Sequence, residues 1–299
     1  MAQQTLSHQS RISRRHLLRY GITAASLATL AGTAYTTFIE PVWIEIAHVS
    51  LRLPRLAPAF CGYRIAQVSD IHLGDWMTVD RLSNVIRAVN GQAPDLIAIS
   101  GDFVTRRAEQ QASDLTASLR RLHARDGVVA VLGNHDYWSN AQVIRDLLPR
   151  SDVRELANAA WTLRRGDAHL HIAGVDDIWE AHDRLSLVLD TLPHDGAAIL
   201  LAHEPDFAET SAATGRFDLQ MSGHSHGGQI VAPFLGPLHV PFLSHKYPSV
   251  RYQVGDMIQY TNRGVGMIRP FVRLNCRPEV TIFHLHAQRA CACAGVLDG

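Results

Sequence analysis

Asp95-Leu96-Ile97-Ala98-Ile99-Ser100-Gly101-Asp102 is the stretch that decides the fold. Its apolar residues run without a break, which marks a strand covered on both faces, because a strand with one wet face alternates apolar and polar residues. The run ends on a glycine and a carboxylate. Working outward, the same unit recurs. Tyr63-Arg64-Ile65-Ala66-Gln67-Val68 leads into Ser69-Asp70-Ile71-His72, and Val128-Val129-Ala130-Val131-Leu132 leads into Gly133-Asn134-His135-Asp136. Ala197-Ala198-Ile199-Leu200-Leu201 runs into Ala202-His203, and Asp218-Leu219-Gln220-Met221 runs into Gly223-His224-Ser225-His226-Gly227-Gly228. Between these strands, the spacing of Val79, Leu82, Val85, Ile86 and Val89 predicts a helix closed by Asn90-Gly91. Leu115, Leu119 and Leu122 predict a second helix, and 141–148 a third. Strands alternating with helices predict a layered α/β fold, with polar residues collected where strands end, the edge at which open α/β sheets bind ligands.

The bulk composition fits that fold. The chain has 299 residues, 46% hydrophobic and 19% charged, enough for one α/β domain of about 250 residues. A formal net charge of +0 gives no nucleic-acid footprint, so no nucleic-acid partner is expected. Histidine is abundant, with 17 copies, which favours a His-rich metal site. The cysteines, Cys61, Cys276, Cys291 and Cys293, lack Cys-x-x-Cys spacing. That argues against a thiolate zinc site and against a disulfide-stapled fold. Strand-like pieces at 43–46, 49–53, 161–163, 169–172, 252–260 and 279–286 complete the domain, which is expected over 42–287.

The N-terminus reads differently. Ser13-Arg14-Arg15-His16-Leu17-Leu18 precedes a charge-free run over 21–34, a pattern that resembles a twin-arginine export signal, although a bulky Phe is common where Leu17 stands. Gly32-Thr33-Ala34 offers a small-residue cleavage site, while 21–38 is close to the shortest spanning length of about 17 residues. Residues 1–38 are therefore expected to be a twin-arginine signal or a membrane anchor, with cleavage left open. The expected partner is the twin-arginine export machinery. The expected location is the periplasm or the outer face of the bacterial inner membrane. Residues 288–299, with Cys291 and Cys293, read as a disordered tail.

Taken together, the strand-end clusters Asp70-x-His72, Gly101-Asp102, Gly133-Asn134-His135-Asp136, His203 and His224-x-His226 carry the chemistry. Asp70 and His72 are two residues apart, so in extended geometry both side chains would face one side. Asp102 is free to bridge two ions with its two oxygens, and Asn134 adds a neutral oxygen. Mixed oxygen and nitrogen ligands without thiolate suit Mn²⁺, Fe²⁺ or Zn²⁺ without choosing among them. In order and type, the clusters resemble the signature of the calcineurin-like metallophosphoesterase family over Asp70 to His226. The resemblance implies mixed β-sheets sandwiched by helices, with a dinuclear metal site at the strand ends. It implies a first site of Asp70, His72, Asp102 and His226, and a second of Asp102, Asn134, His203 and His224. Two divalent ions about 3.5 to 4 Å apart would hold a bridging hydroxide for in-line attack on phosphorus. His135 is implied to protonate the leaving oxygen or stabilise the transition state, and Asp136 is expected to orient its ring, as carboxylates do for imidazoles.

The remaining polar residues have blander readings. Asp75 is expected to cap the next helix, and Asp176-Asp177 to form a turn. His169, His171, His284 and His286 read as sheet or surface residues. Arg106, Arg107, Lys246, Arg251, Arg263, Arg269 and Arg273 read as solvated, with some placed to meet substrate phosphate. The expected activity is metal-dependent hydrolysis of a phosphate ester or pyrophosphate bond in a phosphorylated small molecule or lipid, exported or membrane-proximal. Export plus motif order resembles the twin-arginine-exported branch of the family, and a lipid-linked or cell-wall phosphate is the first substrate expectation. Relatives that cleave UDP-2,3-diacylglucosamine share the ligand pattern. The competing classes are a catalytically silent scaffold on the same fold and a metal-binding protein. The full ligand set and His135 argue against the silent form.

Overall fold

The computed structural model describes residues 14–288. In chain order its strands are β1 (Glu45–Leu53), β2 (Tyr63–Val68), β3 (Leu96–Ser100), β4 (Val128–Val131), β5 (Val153–Glu155), β6 (Ala159–Arg165) and β7 (Ala168–Gly174). They continue with β8 (Ala197–Leu201), β9 (Leu219–Ser222), β10 (Val231–Ala232), β11 (Gly236–Pro237), β12 (Val250–Val254), β13 (Met257–Thr261) and β14 (Glu279–Ala287). The helices are α1 (Arg14–Ala34), α2 (Val79–Gly91), α3 (Ala108–Leu119), α4 (Asn134–Ser139), α5 (Ala141–Leu147), α6 (Leu185–Thr191) and α7 (Ala208–Ala213).

Two six-stranded sheets form, ordered β1-β14-β2-β3-β4-β5 and β12-β13-β9-β8-β7-β6. Alternation within single strands builds the layers. Leu96 and Ala98 of β3 face inward with Val129 and Val131, and meet Ile199, Leu201, Leu219 and Met221 of the other sheet. Ile97 and Ile99 face outward and meet Leu82, Val85, Ile86 and Val89 of α2 and Leu115 and Leu119 of α3. That double duty explains the unbroken apolar run. On the far side of the second sheet, Ala198 and Leu200 pack against Val188 of α6 and Ala208 of α7. The result is helix, sheet, sheet, helix, as expected from the sequence.

Within this frame β2, β3 and β4 are mutually parallel, and so are β8 and β9. Their carboxyl ends therefore share an edge within each sheet. Buried Gln67 ties the two edges together, its Nε2 donating to Ser100 Oγ and to Ser222 O at 2.9 Å each.

Several local expectations change. The two strand pieces at 43–46 and 49–53 are one strand, β1, and its neighbour is β14 from the other end of the chain, in parallel register from Glu45↔Glu279 onward. The Asn134 cluster opens a short helix, α4, that the apolar period does not reveal. Asp75 does not cap α2; Thr78 does, its side chain accepting from Arg81 N at 3.3 Å. Cys61 is disulfide-bonded, although the sparse cysteines argued against a disulfide-stapled fold. Cys291 and Cys293 lie outside the described residues.

Candidate metal centre

The strand ends bring the sequence-selected residues to one buried cluster. Asp70, His72, Asp102, Asn134, His203, His224 and His226 are all buried. His72 Nε2 lies 3.0 Å from His226 Nε2 and 3.4 Å from Asp102 Oδ2. Asp70 Oδ1 is 3.4 Å from His226 Nε2, and His203 Nε2 is 3.3 Å from Asp102 Oδ2. Asp102 thus stands between the two groups, as a bridging carboxylate must.

Asp70 and His72 do not reach the cluster by strand alternation. Both lie beyond the end of β2 with left-handed backbone, φ 52 and φ 50, and Asp102, His224 and His226 share that region at φ 58, 68 and 52. Side chains bearing a Cβ rarely adopt this conformation, and it recurs at sites where function fixes the backbone. Hydrogen bonds hold it here. Asp70 N donates to Gly101 O and His72 N donates to Asp102 O, each at 3.0 Å. His224 N donates to the Asp70 carboxylate at 3.0 and 3.1 Å.

Gly223 shows how close the packing is. A Cβ there would sit 1.8 Å from Ser69 Oγ and 2.4 Å from Asp70 Oδ2. Gly223→Ala is expected to cost about 1–3 kcal/mol of stability through overpacking and to weaken metal binding, because Asp70 must move. A urea midpoint and a metal affinity both equal to those of the parent would refute this.

The ring nitrogens are oriented by groups that can only accept. His203 Nδ1 lies 2.6 Å from Ser100 O, so Nδ1 carries the proton and Nε2 faces Asp102. His224 Nε2 donates to Phe242 O at 2.8 Å, which turns Nδ1 to the cluster. Such outer partners fix the tautomer of a metal-ligating imidazole. Burial pushes His72 and His224 down to about 3, so both rings are neutral, the form that donates a lone pair. Burial raises Asp70 to about 6, with the Asp102 charge adding to it and His203 opposing. For Asp102 burial works against ionisation, but the charges of His203 and His135 outweigh it and hold the carboxyl well below its ordinary value.

The donor set fits divalent ions. His203 Nε2, Asn134 Oδ1 and His226 Nδ1 are buried without a hydrogen bond, and Asp70 with His72 and His226, Asp70 with Asp102 and His203, and His203 with Glu204 and His224 each offer ligand atoms within 4.8 Å of one another. Buried acceptors left unpaired at one point are costly unless a cation joins them.

His135 stands at the edge of the cluster. Its Nδ1 faces Thr105 O at 3.3 Å and its main-chain N donates to Asp102 Oδ1 at 2.9 Å. Its ring packs edge-on against His72, with centroids 4.7 Å apart. Asp136 does not orient this ring. It is fully buried, and its carboxylate accepts from Phe103 N at 2.9 Å, Val104 N at 3.2 Å and Gly133 N at 3.1 Å. Adjacent residues on a helix point in different directions, so Asp136 ties the Asp102 loop to the Asn134 turn instead.

Two buried acids beside the cluster are not site residues in the sequence reading: Glu204 is not singled out there, and Asp177 is read only as part of a turn. Glu204 follows His203 directly, and Asp177 lies hydrogen-bonded against it, burial raising both carboxyls above their usual range. The signal for Glu204 is its adjacency to His203. Asp177 also accepts from Glu180 N at 2.7 Å, the turn contact expected of it. A separate group of His169, His171 and Asp195 also gathers ligand-type atoms. There, however, both His171 nitrogens are engaged, by Thr162 Oγ1 at 2.8 Å and Asp195 O at 2.9 Å.

A cavity of about 500 Å³ opens beside the cluster at His135. Thr105, Arg106, Arg107, Arg269 and Phe271 line it. Outside that lining, an aromatic group flanks the cluster: Trp138 lies 4.8 Å from the His135 ring, and Trp179 packs against Trp138, His224 and Phe242 at 5.3, 5.4 and 5.5 Å.

The calcineurin-like phosphoesterase signature matches residues 63–228, the span from β2 through the His224-x-His226 turn. The chain is 34% identical to the metallophosphoesterase YkuE of Bacillus subtilis, across 92% of this chain and 98% of that protein. It is 30% identical to the phosphodiesterase YaeI of Escherichia coli, across 92% and 99%. It is 26% identical to the UDP-2,3-diacylglucosamine pyrophosphatase LpxG of Chlamydia muridarum, across 87% and 95%. Likeness running through nearly the whole of both proteins leads to one conclusion: this chain is a metal-dependent phosphoesterase and belongs to the calcineurin-like phosphoesterase family.

Proposed function

We propose that the chain hydrolyses a phosphodiester or pyrophosphate bond in a lipid-linked or cell-wall phosphate at the outer face of the bacterial inner membrane. The observation that supports it most directly is the pairing of a buried Asp/His/Asn cluster with an arginine-lined cavity at His135, beside which an aromatic group flanks the cluster. The proposed ligands are Asp70, His72, Asp102 and His226 for one ion, and Asp102, Asn134, His203 and His224 for the other. When bound, the ions supply positive charge for the phosphate oxygens and lower the pKa of water at the site. Arg106, Arg107 and Arg269 would hold non-bridging phosphate oxygens, for which the guanidinium fork is suited. His135 would hold a proton at Nε2 for the departing oxygen, with Nδ1 kept in place by Thr105 O. Asp136 would act as a positioning residue, through the loops it joins. Trp138, Trp179 and Phe242 offer the apolar surface that a sugar, base or acyl group requires.

The N-terminal helix supports this location. The segment Arg14–Val42 is long and apolar enough to cross a membrane, and none of its apolar window is buried in the protein. A helix that apolar, packed on nothing, is at home in lipid. The Arg14-Arg15 pair supports passage through the twin-arginine export machinery, after which α1 would stay as the anchor. A phosphodiesterase and a UDP-2,3-diacylglucosamine pyrophosphatase among the relatives support the bond type.

The test is a screen of the full chain, loaded with Mn²⁺, Fe²⁺ or Zn²⁺, against aryl and alkyl mono- and diesters, nucleotide sugars and lipid phosphates. Turnover should be highest on a diester or pyrophosphate with an apolar substituent. Absence of hydrolysis for every phosphate ester, despite stoichiometric metal, would overturn the proposal.

A further inference from the structure

Apart from Phe242, one exposed apolar surface beside the metal centre has no role in the account above. Phe234 is fully exposed, and Leu235, Leu238 and Phe242 are each more than half exposed, Leu235 at 81%. The first three sit on the hairpin of β10 and β11 or just after it. Single exposed apolar residues are ordinary, but several on one loop mark an interaction surface. Phe234 also holds φ 69, a conformation that bulky residues rarely take.

The hairpin and the end of the apolar helix are clamped by the same short segment. Val231 N donates to Leu274 O and Leu274 N donates to Gln229 O, each at 2.9 Å, and Asn275 Nδ2 donates to Val231 O at 3.0 Å. One residue earlier, Arg273 N donates to Thr36 O at 3.0 Å, just beyond α1. Cys276 N donates to the buried Glu40 Oε1 at 2.6 Å. Exposed Phe38, Ile39, Val42 and Trp43 flank this junction, and the Arg277 guanidinium lies 4.7 Å from the Trp43 ring. Apolar side chains mixed with Trp and Arg at the end of a spanning helix have the composition of a membrane's interfacial layer.

The hairpin and the segment that follows it reach the metal centre on the other side. Phe242 O accepts from the His224 ring, and Gly228 approaches Pro237 so closely that a Cβ would stand 2.4 Å from it. Gln229 Nε2 donates to Ile268 O at 3.1 Å and Pro270 O at 3.2 Å, fixing the segment that carries Arg269 at the mouth of the cleft.

We propose that the hairpin tip, Phe234, Leu235 and Leu238, enters the outer interfacial layer of the lipid bilayer beside the α1 anchor, so that the cleft opens at the level of lipid phosphates. This rests on the reading of α1 as an anchor, and it names the partner as the bilayer itself. Continuity with the spanning helix favours lipid over a protein, and the arginines at the cleft match the negative charge of phosphate headgroups.

The experiment uses the full chain in phosphatidylcholine and phosphatidylglycerol vesicles. Phe234→Trp should show at least twofold stronger quenching of the added fluorescence when the acyl chains are brominated near the headgroup, after subtraction of the parent chain's own tryptophans. No added quenching overturns the proposal and leaves the surface to a protein or a second copy of the chain. The triple variant Phe234→Ser, Leu235→Ser, Leu238→Ser should keep its rate on soluble bis-p-nitrophenyl phosphate and lose at least tenfold on a phosphodiester embedded in the vesicle. Equal loss on both substrates would show that the hairpin acts on the site and not on the membrane. Quenching of Phe234→Trp in a protein that hydrolyses no lipid phosphate would sustain insertion while overturning the lipid-substrate reading.

Discussion

Asp102→Asn should lower hydrolysis of bis-p-nitrophenyl phosphate by at least about 10³-fold and reduce bound metal, while circular dichroism stays that of the parent. The substitution separates charge from structure. Asp102 Oδ1 accepts from His135 N, and an asparagine oxygen can accept the same bond. What asparagine cannot supply is the anionic oxygen, Oδ2, that faces His72 at 3.4 Å and His203 at 3.3 Å. With several neutral imidazoles in the cluster, removing this carboxylate removes a large part of the negative charge available to a pair of divalent cations. The loss should therefore appear in metal content first and in turnover as its consequence. Retention of two ions together with more than a tenth of the parent rate would exclude Asp102 as the bridging ligand.

The second large effect is expected at His135. His135→Ala should leave metal content unchanged and lower turnover by about 10²- to 10⁴-fold on an alkyl phosphodiester, the range of a lost general acid. The loss should be much smaller on the p-nitrophenyl ester, because that leaving group is stable without a proton. This split is what a positioning or packing role would not produce. The His135 ring touches His72 and Trp138, so a purely structural defect would slow both substrates alike. Equal losses on alkyl and aryl esters would remove proton donation from its role.

Much of the fold was legible in the sequence because local burial writes itself into the side-chain period. The run 96–100 is apolar at every position since β3 is covered by a sheet on one side and helices on the other. The polar residues after each such run marked the functional edge for the same reason: buried apolar strands must end before carboxylates and imidazoles can gather. Asp70, His72, Asp102, Asn134, His203, His224 and His226 were all placed at strand ends from the sequence, and they do converge.

Other features depend on contacts between distant parts of the chain, which no local period encodes. β14 enters between β1 and β2, a pairing that joins the two ends of the domain. The left-handed backbone at Asp70 and His72 is held by carbonyls of the neighbouring loop at 101–102, so their convergence comes from tertiary hydrogen bonds and not from strand alternation. Asp136, adjacent to His135, is expected from the sequence to serve its ring, but the short helix α4 points the carboxylate to three main-chain amides instead. Glu204 and Asp177 become a buried pair only when β7 and β8 lie side by side. The sequence by itself determined the layers, the functional edge and the chemical types of the residues gathered there, because those follow from which residues must be buried. Only the tertiary structure decided which way each ligand points, what fixes its protonation and where the apolar hairpin stands relative to α1, because those depend on hydrogen bonds between segments far apart in the chain.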